Sequence, residues 1–486
     1  MANLKALDNL PGWLQWPSRT TIKHLFYGVL IGFSLSLSSS GLTLVRQRRK
    51  KEHLANGNTA PTSIASRSEQ IVDGVTGLIG NTPLIRINSL SDALGVEILG
   101  KAEFMNPGGS VKDRVALRMI DDAERLGYLR PYTNSRIFEG TVGSTGISIA
   151  TIARARGYHA TIIMPDDIAE EKVKALLSLG AEVERVRPAS IVDKKQFVNL
   201  AKQRASQFGQ TPTMENGTAP KVRLPNSHRG LESASHSVLV STTADNVDFE
   251  NDTWKYDQEF LTKPRGFFAD QFENKSNFDA HYYGTGPEIW KQTGGDIDAF
   301  VSGAGTGGTV AGCGRYLKSV KEDVLVAISD PEGSGLYNKV KHGVMFDRKE
   351  SEGTKRRHQV DTVVEGIGIN RLTRNFELAL PILDDAFRIT DVEAVSMSRY
   401  LVQNDGLFLG SSSACNLLAC VKLVQKMGWE NSGKRVVTIL CDSGIRHYSK
   451  FWSDEYLAQA NITVDLSIVN QLLKHHQQLL PEDSNI

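Results

Sequence analysis

One lysine and two turns of small residues hold the chemistry this chain can do. Lys112 opens a helix after a proline and two glycines in NPGGSVKDRVALRMI, and EGTVGSTGISIA (Glu139 to Ala150) sets a small-residue turn between a strand and a helix. In the second half, VSGAGTGGTVAGCGRYLK runs an apolar strand into a glycine-rich turn at Gly303 to Thr309, with a helix directly afterwards. Glycines let backbone amides approach an anion closely, and a helix N-terminus adds partial positive charge, so this segment is built as a phosphate cradle. Taken alone, it has other readings. Gly303, Gly305 and Gly308 satisfy the GxGxxG spacing and Asp330 ends the next strand, as in a dinucleotide-binding unit. A tight turn that binds nothing has the same glycines. A Walker P-loop is excluded, because no Gly-Lys-Ser/Thr follows.

Two anion sites and one lysine break the tie toward a phosphate cofactor with a carboxylate substrate. An amine whose pKa burial lowers can form a Schiff base with an aldehyde, and pyridoxal phosphate supplies both aldehyde and phosphate. The elements that must position these groups alternate. Ala160 to Pro165, Ala181 to Val186, Asp298 to Gly303, Val324 to Ser329 and Arg435 to Cys441 are short β-rich runs that read as buried strands. Helical segments such as VALRMIDDAERLG, EEKVKALLSLG and SMSRYLVQNDG separate them, the last two ending on a glycine suited to a C-cap. Such alternation predicts an α/β fold with mainly parallel sheets.

The motifs GNTPLIRI, NPGGSVKDR, GTGPEIW, GAGTGGTVAG, VEGIGI and the serine run at Ser411 together resemble the cysteine synthase (O-acetylserine sulfhydrylase) and cystathionine β-synthase family, in motif order from about Ile71 to Leu457. The resemblance implies a tryptophan-synthase-β type of fold (fold type II), with pyridoxal 5'-phosphate between two α/β domains, and a homodimer. It implies that Lys112 holds the cofactor and moves the substrate α-proton, that Gly305, Thr306, Gly307, Gly308 and Thr309 bind its phosphate, and that Ser412 meets the pyridine nitrogen. Thr141, Val142, Gly143 and Thr145, with Gln271, would grip the substrate carboxylate, Ser144 would face the cofactor's phenolic oxygen, and Gly366 would line the entrance. The implied reaction replaces the acetate of O-acetyl-L-serine by sulfide to give L-cysteine; run differently, the same chemistry makes a cysteine desulfhydrase that yields sulfide, pyruvate and ammonia. This chain departs from the family in the substrate loop, where Thr-Ser-Gly-Asn-Thr becomes Thr141-Val142-Gly143-Ser144-Thr145. Val142 has no hydroxyl to donate, and Ser144 replaces an amide. Ala414 for glycine, and CDSG at Cys441 for a PSSG-like turn, are further changes.

The rest of the chain frames these motifs. Its 486 residues suffice for two or three domains, and 40% hydrophobic with 23% charged residues is a globular composition. A formal net charge of +1 gives no field for nucleic acid. Cys313, Cys415, Cys420 and Cys441 lack the spacing of a zinc site or a disulfide framework and read as reduced thiols. Residues 25–45 carry no charge and are long enough to cross a bilayer once, and the basic run Arg46 to Lys51 favours a cytosolic C-terminal side. A cleaved secretory signal and a mitochondrial transit peptide are the rivals. The branch the chain resembles is the fungal mitochondrial membrane-anchored one, which implies the outer membrane with the catalytic part in the cytosol, or the matrix after cleavage of a transit peptide.

The domain plan is then a tail (1–24), an anchor (25–45), a linker (46–70), a larger cofactor-phosphate domain (71–103 with 264–457), a smaller substrate-loop domain (104–208), a mobile surface insertion (209–263) and a C-terminal helix or tail (458–486). The tail's helical spacing, VDLSIVNQLLKHHQQLL, would pack on a partner subunit or on nothing. His342, His358 and His447 stand in polar context and are expected at the surface, and Glu365 and Asp442 are expected to be structural. A nicotinamide dehydrogenase explains only Gly303 to Asp330 and leaves Lys112 idle. A non-catalytic, membrane-anchored binding protein on an enzyme scaffold would explain Val142 and Ser144.

Overall fold

The expected strands all form, in two sheets whose central strands are buried on both faces; Glu182–Val186, expected to be buried, is instead an edge strand that is only partly covered. The structure is a computed structural model, and it describes residues 71–208, 239–242, 263–347 and 362–474. Residues 71–486 cluster as one compact unit; residues 1–70, with the expected anchor at 25–45, lie outside the described residues. Among the described residues no helix is long and apolar enough to cross a membrane.

The strands are β1 (Leu84–Arg86), β2 (Glu97–Ala102), β3 (Arg136–Gly140), β4 (His159–Pro165), β5 (Glu182–Val186), β6 (Leu239–Thr242), β7 (Arg265–Phe268), β8 (Ala299–Gly303), β9 (Leu325–Pro331), β10 (Asp385–Ile389) and β11 (Arg435–Leu440). One sheet runs β1-β2-β11-β8-β9-β10 and the other β5-β4-β3-β7-β6. Both are parallel except for one antiparallel edge pair each, β1 on β2 and β6 on β7. Successive residues feed opposite cores: Ala299 and Val301 of β8 join the cluster with Val436, while Phe300 between them joins the cluster with Val437. Apolar cover on both faces is why these strands read as continuous hydrophobic runs rather than alternating ones.

Seven helices bear on the site: α1 (Lys112–Arg125), α2 (Ser144–Ala155), α3 (Glu170–Ser178), α4 (Phe197–Gln207), α5 (Gly308–Val320), α6 (Asp391–Asp405) and α7 (Ser411–Met427). Gly406 caps α6 in the left-handed region at φ 67°, and a Thr390/Glu393 capping box starts it. Helix α7 buries its small and apolar residues from Ser411 to Val424 almost without interruption. Its Asn416 accepts from Gly303 N at 2.7 Å and Ser329 Oγ at 2.6 Å and donates to Ile439 O at 2.8 Å, tying together the ends of β8, β9 and β11.

Three other expectations are corrected. The 209–263 segment supplies the edge strand β6, because Leu239–Thr242 completes hydrogen bonding along β7; its residues 209–238 and 243–262 lie outside the described residues. Strand β7, C-terminal to that segment, pairs with β3 rather than joining the six-stranded sheet. The C-terminal helix (Ser467–Lys474) packs on this chain's own core, with Val469 and Leu473 buried in the α6/α7 cluster.

Candidate active site

Three of the sequence motifs meet in a buried ionic box that fixes the start of α1. Arg114, two residues after Lys112, bonds Glu103 at 2.7 Å and Glu288 of GTGPEIW at 2.6 Å, and its Nη2 donates to Thr82 of GNTPL at 3.2 Å. Lys101 adds a bond to Glu288 at 2.6 Å. Burial opposes ionisation of Glu288, but Arg114 and Lys101 outweigh it and hold its pKa down at about 2. Buried ion pairs are weak evidence of net stability, but removing one partner strands a charge, so the box over-determines where α1 begins.

Lys112 therefore points into a cavity of about 920 Å³, where the carboxyl ends of β3, β8 and β11 converge. That is where open α/β sheets bind ligands. Desolvation lowers the lysine's pKa, with Cys441 and Asp442 opposing the shift. Ser412, in the first turn of α7, and the Cys441 thiol, pushed up to about 11 by burial, line the same wall.

The glycine turn is closed on every side except the one that faces the cavity. A Cβ on Gly305 would lie 2.7 Å from Gly366 O, one on Gly307 2.5 Å from Phe376 Cα, and one on Gly308 would overlap Asn277 Oδ1; Gly307 caps α5 at φ 86°. Its hydroxyls are held from behind. Asn277 donates to Thr306 Oγ1 at 2.8 Å, and Thr309 Oγ1 lies 3.2 Å from His281 Nε2, whose Nδ1 meets Thr285 at 2.9 Å. Burial, then the charges of Lys112 and Arg114, keep His281 neutral. A turn without side chains, with two fixed hydroxyls at a 13-residue helix N-terminus, fits a phosphate. Lys112 and Ser412 fit an aldehyde and a ring nitrogen on the same ligand.

The second turn sits at the N-terminus of α2. Thr141 and Thr145 are buried, and Thr145 Oγ1 donates to Gln271 Oε1 at 2.6 Å, so the two residues expected at the substrate carboxylate do meet. Val142 is 39% exposed, and Ser144 Oγ is touched by Arg446 Nη1 at 3.4 Å. Gly143 takes φ 134°, which disfavours any side chain. The cavity brings together every predicted site residue except Gly143 and Gly308, which sit behind its lining.

Asp330 is overturned as a ribose partner. It is fully buried, its Oδ2 accepts from Tyr337 N at 2.7 Å, and it does not line the cavity. His447 is overturned as a surface residue: it is buried on the cavity wall, with Nε2 3.0 Å from Asp442 Oδ2. His342 is exposed as expected, and His358 lies outside the described residues. Sequence reasoning also missed Asn277, His281, Arg446 and Lys172. The first two flank GTGPEIW and could have been sought there; the others give no local signal.

Comparison with known proteins agrees with this geometry. The model of the family "Pyridoxal-phosphate dependent enzyme" matches residues 75–224 and 233–442, and the chain belongs to that family. Within it, the chain is similar to cysteine synthases. It is 50% identical over 401 residues to cysteine synthase 2 of Schizosaccharomyces pombe, covering 82% of this chain and 89% of the relative. It is 50% identical over 411 residues to cysteine synthase 2 of Emericella nidulans, covering 84% and 86%. A protein of Saccharomyces cerevisiae named "Putative mitochondrial cysteine synthase" is 46% identical over 383 residues, covering 79% and 84%.

Proposed function

We propose that this chain is a pyridoxal-phosphate-dependent cysteine synthase, replacing the acetate of O-acetyl-L-serine by sulfide to give L-cysteine. The observation that carries it is a desolvated lysine amine sharing one cavity with a closed phosphate turn and a carboxylate turn, in a chain about half identical to cysteine synthases. When bound, pyridoxal phosphate supplies an aldehyde that condenses with amines and a ring that accepts the electron pair released at the α-carbon. Gly305 to Thr309 hold the phosphate on the α5 N-terminus. Ser412 offers the ring nitrogen a neutral hydroxyl, which limits charge build-up at the α-carbon and favours loss of the β-substituent. Thr141, Thr145 and Gln271 orient the substrate carboxylate, with Val142, Gly143 and Ser144 shaping the loop. Lys112, whose burial favours the neutral amine, takes the α-proton and returns it. Acetate leaves the β-carbon, sulfide adds there, and Gly366 lies on the path by which both pass.

Cysteine desulfhydrase activity is the second reading, favoured by Val142 and Ser144, which alter the substrate loop. The fold is read as the tryptophan-synthase-β type, and the assembly as a homodimer. The uncharged segment 25–45 with its basic flank, together with the mitochondrial relative, supports an anchored mitochondrial protein, its catalytic part facing the cytosol from the outer membrane. Carbonate extraction and protease treatment of intact mitochondria test that placement; release into the soluble fraction sinks the anchor.

The test of function records the visible absorption of the full-length, cofactor-loaded protein while O-acetylserine, then sulfide, is added. A band that shifts with O-acetylserine and recovers as cysteine accumulates supports the synthase. Sulfide and pyruvate released from cysteine instead would make it a desulfhydrase. Lys112→Ala should lose the lysine-bound band, and a band unchanged by that substitution rejects the assignment of Lys112.

A further inference from the structure

The cavity wall carries a charged cluster that the synthase reading leaves unused. Lys172, in the first turn of α3, is 3% exposed and forms an ion pair with Glu365. Glu365 also lies 3.5 Å from His447 Nδ1, an ion-pair rather than a hydrogen-bond distance, and 3.7 Å from Lys450 Nζ. His447 in turn bonds Asp442 at 3.0 Å. Burial presses the His447 imidazolium toward neutrality, but the Asp442 charge and the hydrogen bond Asp442 accepts, with Glu365 close by, outweigh it and raise its pKa. Lys172, His447 and Lys450 thus gather around Glu365 and Asp442, and the charge of Glu171 also reaches Lys172. Lys172 itself lines the cavity, so its ammonium can answer a substrate anion there.

The substrate turn lies directly beside this cluster. The Lys172 stem crosses Gly143, where a Cβ would come within 2.6 Å of Lys172 Cδ, so Gly143 is required for space as well as for φ. Val142, next to it, has no hydroxyl with which to donate. We propose that Lys172 is a substrate-binding residue, donating its ammonium to the α-carboxylate of the amino-acid substrate at Thr141 to Thr145 in place of the hydroxyl that Val142 lacks. This rests on the reading of that turn as the carboxylate site. When Lys172 turns to the substrate, Glu365 keeps His447 and Lys450 and is not stranded. The rival role is a purely structural tie, since residues near His447 also bind α3 and its approach: Ser449 N and Oγ reach Glu171 at 3.1 Å, and Lys450 reaches Asp167 O at 2.7 Å.

The two roles separate in a titration of the full-length, cofactor-loaded protein with L-cysteine and with cysteamine, which keeps the amine and thiol but has no carboxylate, read by visible absorption. Lys172→Met should weaken L-cysteine binding about 10-fold or more, the loss of one charged hydrogen bond, and leave cysteamine within about 3-fold. Lys172→Arg should restore most of the affinity. Glu365→Gln should tighten or leave unchanged the binding of L-cysteine, because it frees Lys172. If Lys172→Met and Glu365→Gln weaken binding alike, or Lys172→Met weakens cysteamine as much as L-cysteine, Lys172 is only a tie and the proposal is wrong. A wild-type protein that answers neither ligand overturns the cofactor-and-carboxylate reading itself, a result distinct from either of these.

Discussion

The two anion turns of this molecule are built to different tolerances. Around Gly305 to Thr309 every side but the one facing the cavity is filled: Gly366 and Phe376 block side chains, Asn277 and His281 fix two hydroxyls, and Asn416 ties the strand ends beneath. Around Thr141 to Thr145, Val142 is exposed and the Ser144 hydroxyl meets Arg446 only at 3.4 Å. A phosphate is the same in every member of a cofactor family, so its turn can be closed around it. A substrate must enter and leave, and the turn that holds it keeps slack into which Val142 and Ser144 fit without disturbing the fold.

The largest expected effect breaks the closed turn, lowering stability and cofactor affinity together. Gly307→Ala puts a Cβ 2.5 Å from Phe376 Cα at φ 86°, which combines left-handed strain with overpacking, together about 3 kcal/mol. Thermal melting should show that loss, and cofactor titration should show affinity lower by about 100-fold. If the variant melts and binds like wild type, the turn has room for a side chain and is not closed.

A second effect probes the strand end behind that turn. Burial raises the Asp330 pKa to about 7, outweighing the hydrogen bonds that lower it, and its Oδ1 has no partner among the described residues. A raised carboxyl pKa means stability that is present below the unfolded value near 4 and lost as pH climbs through 7, up to about 4 kcal/mol for a shift of that size. Asp330→Asn removes this titration. The melting temperature of the variant relative to wild type should therefore rise from pH 4.5 to pH 8, and a difference that is flat with pH shows that Asp330 does not ionise there.

The same contrast explains what was legible in the sequence. Gly305 to Gly308 and Lys112 announce themselves because their requirement is local: a strand, a turn without side chains and a helix start lie in one continuous segment. The two-faced burial of β8, β9 and β11 is likewise legible as unbroken apolar runs. Lys172, His447 and Arg446 were not, because they reach the site from segments apart from the glycine turns and act by charge, which leaves no periodic trace. Leu239–Thr242 was hidden for another reason: four residues in a polar stretch become a strand only because the edge of β7 is there to pair with. The helical spacing of the C-terminal segment was visible, but not that its Val469 and Leu473 would find this chain's own core.

The smallest effect sharpens the comparison most, because it adds a group instead of removing one. Val142→Thr keeps the β-branched shape, so the backbone preference of the loop is retained, and at a 39% exposed position the stability change should stay within about 0.5 kcal/mol. The new hydroxyl can donate to the substrate carboxylate, a net hydrogen bond of about 1 kcal/mol, so L-cysteine should bind about 3- to 10-fold tighter in the spectroscopic titration. The gain should be larger in a Lys172→Met background, where the carboxylate has lost its cation, than in wild type, where two donors compete for the same oxygens. Equal gains in both backgrounds would mean that Lys172 and position 142 serve different parts of the substrate. A loss of stability well beyond 1 kcal/mol would mean that the substrate turn is as tightly packed as the phosphate turn, and the contrast between the two would fall.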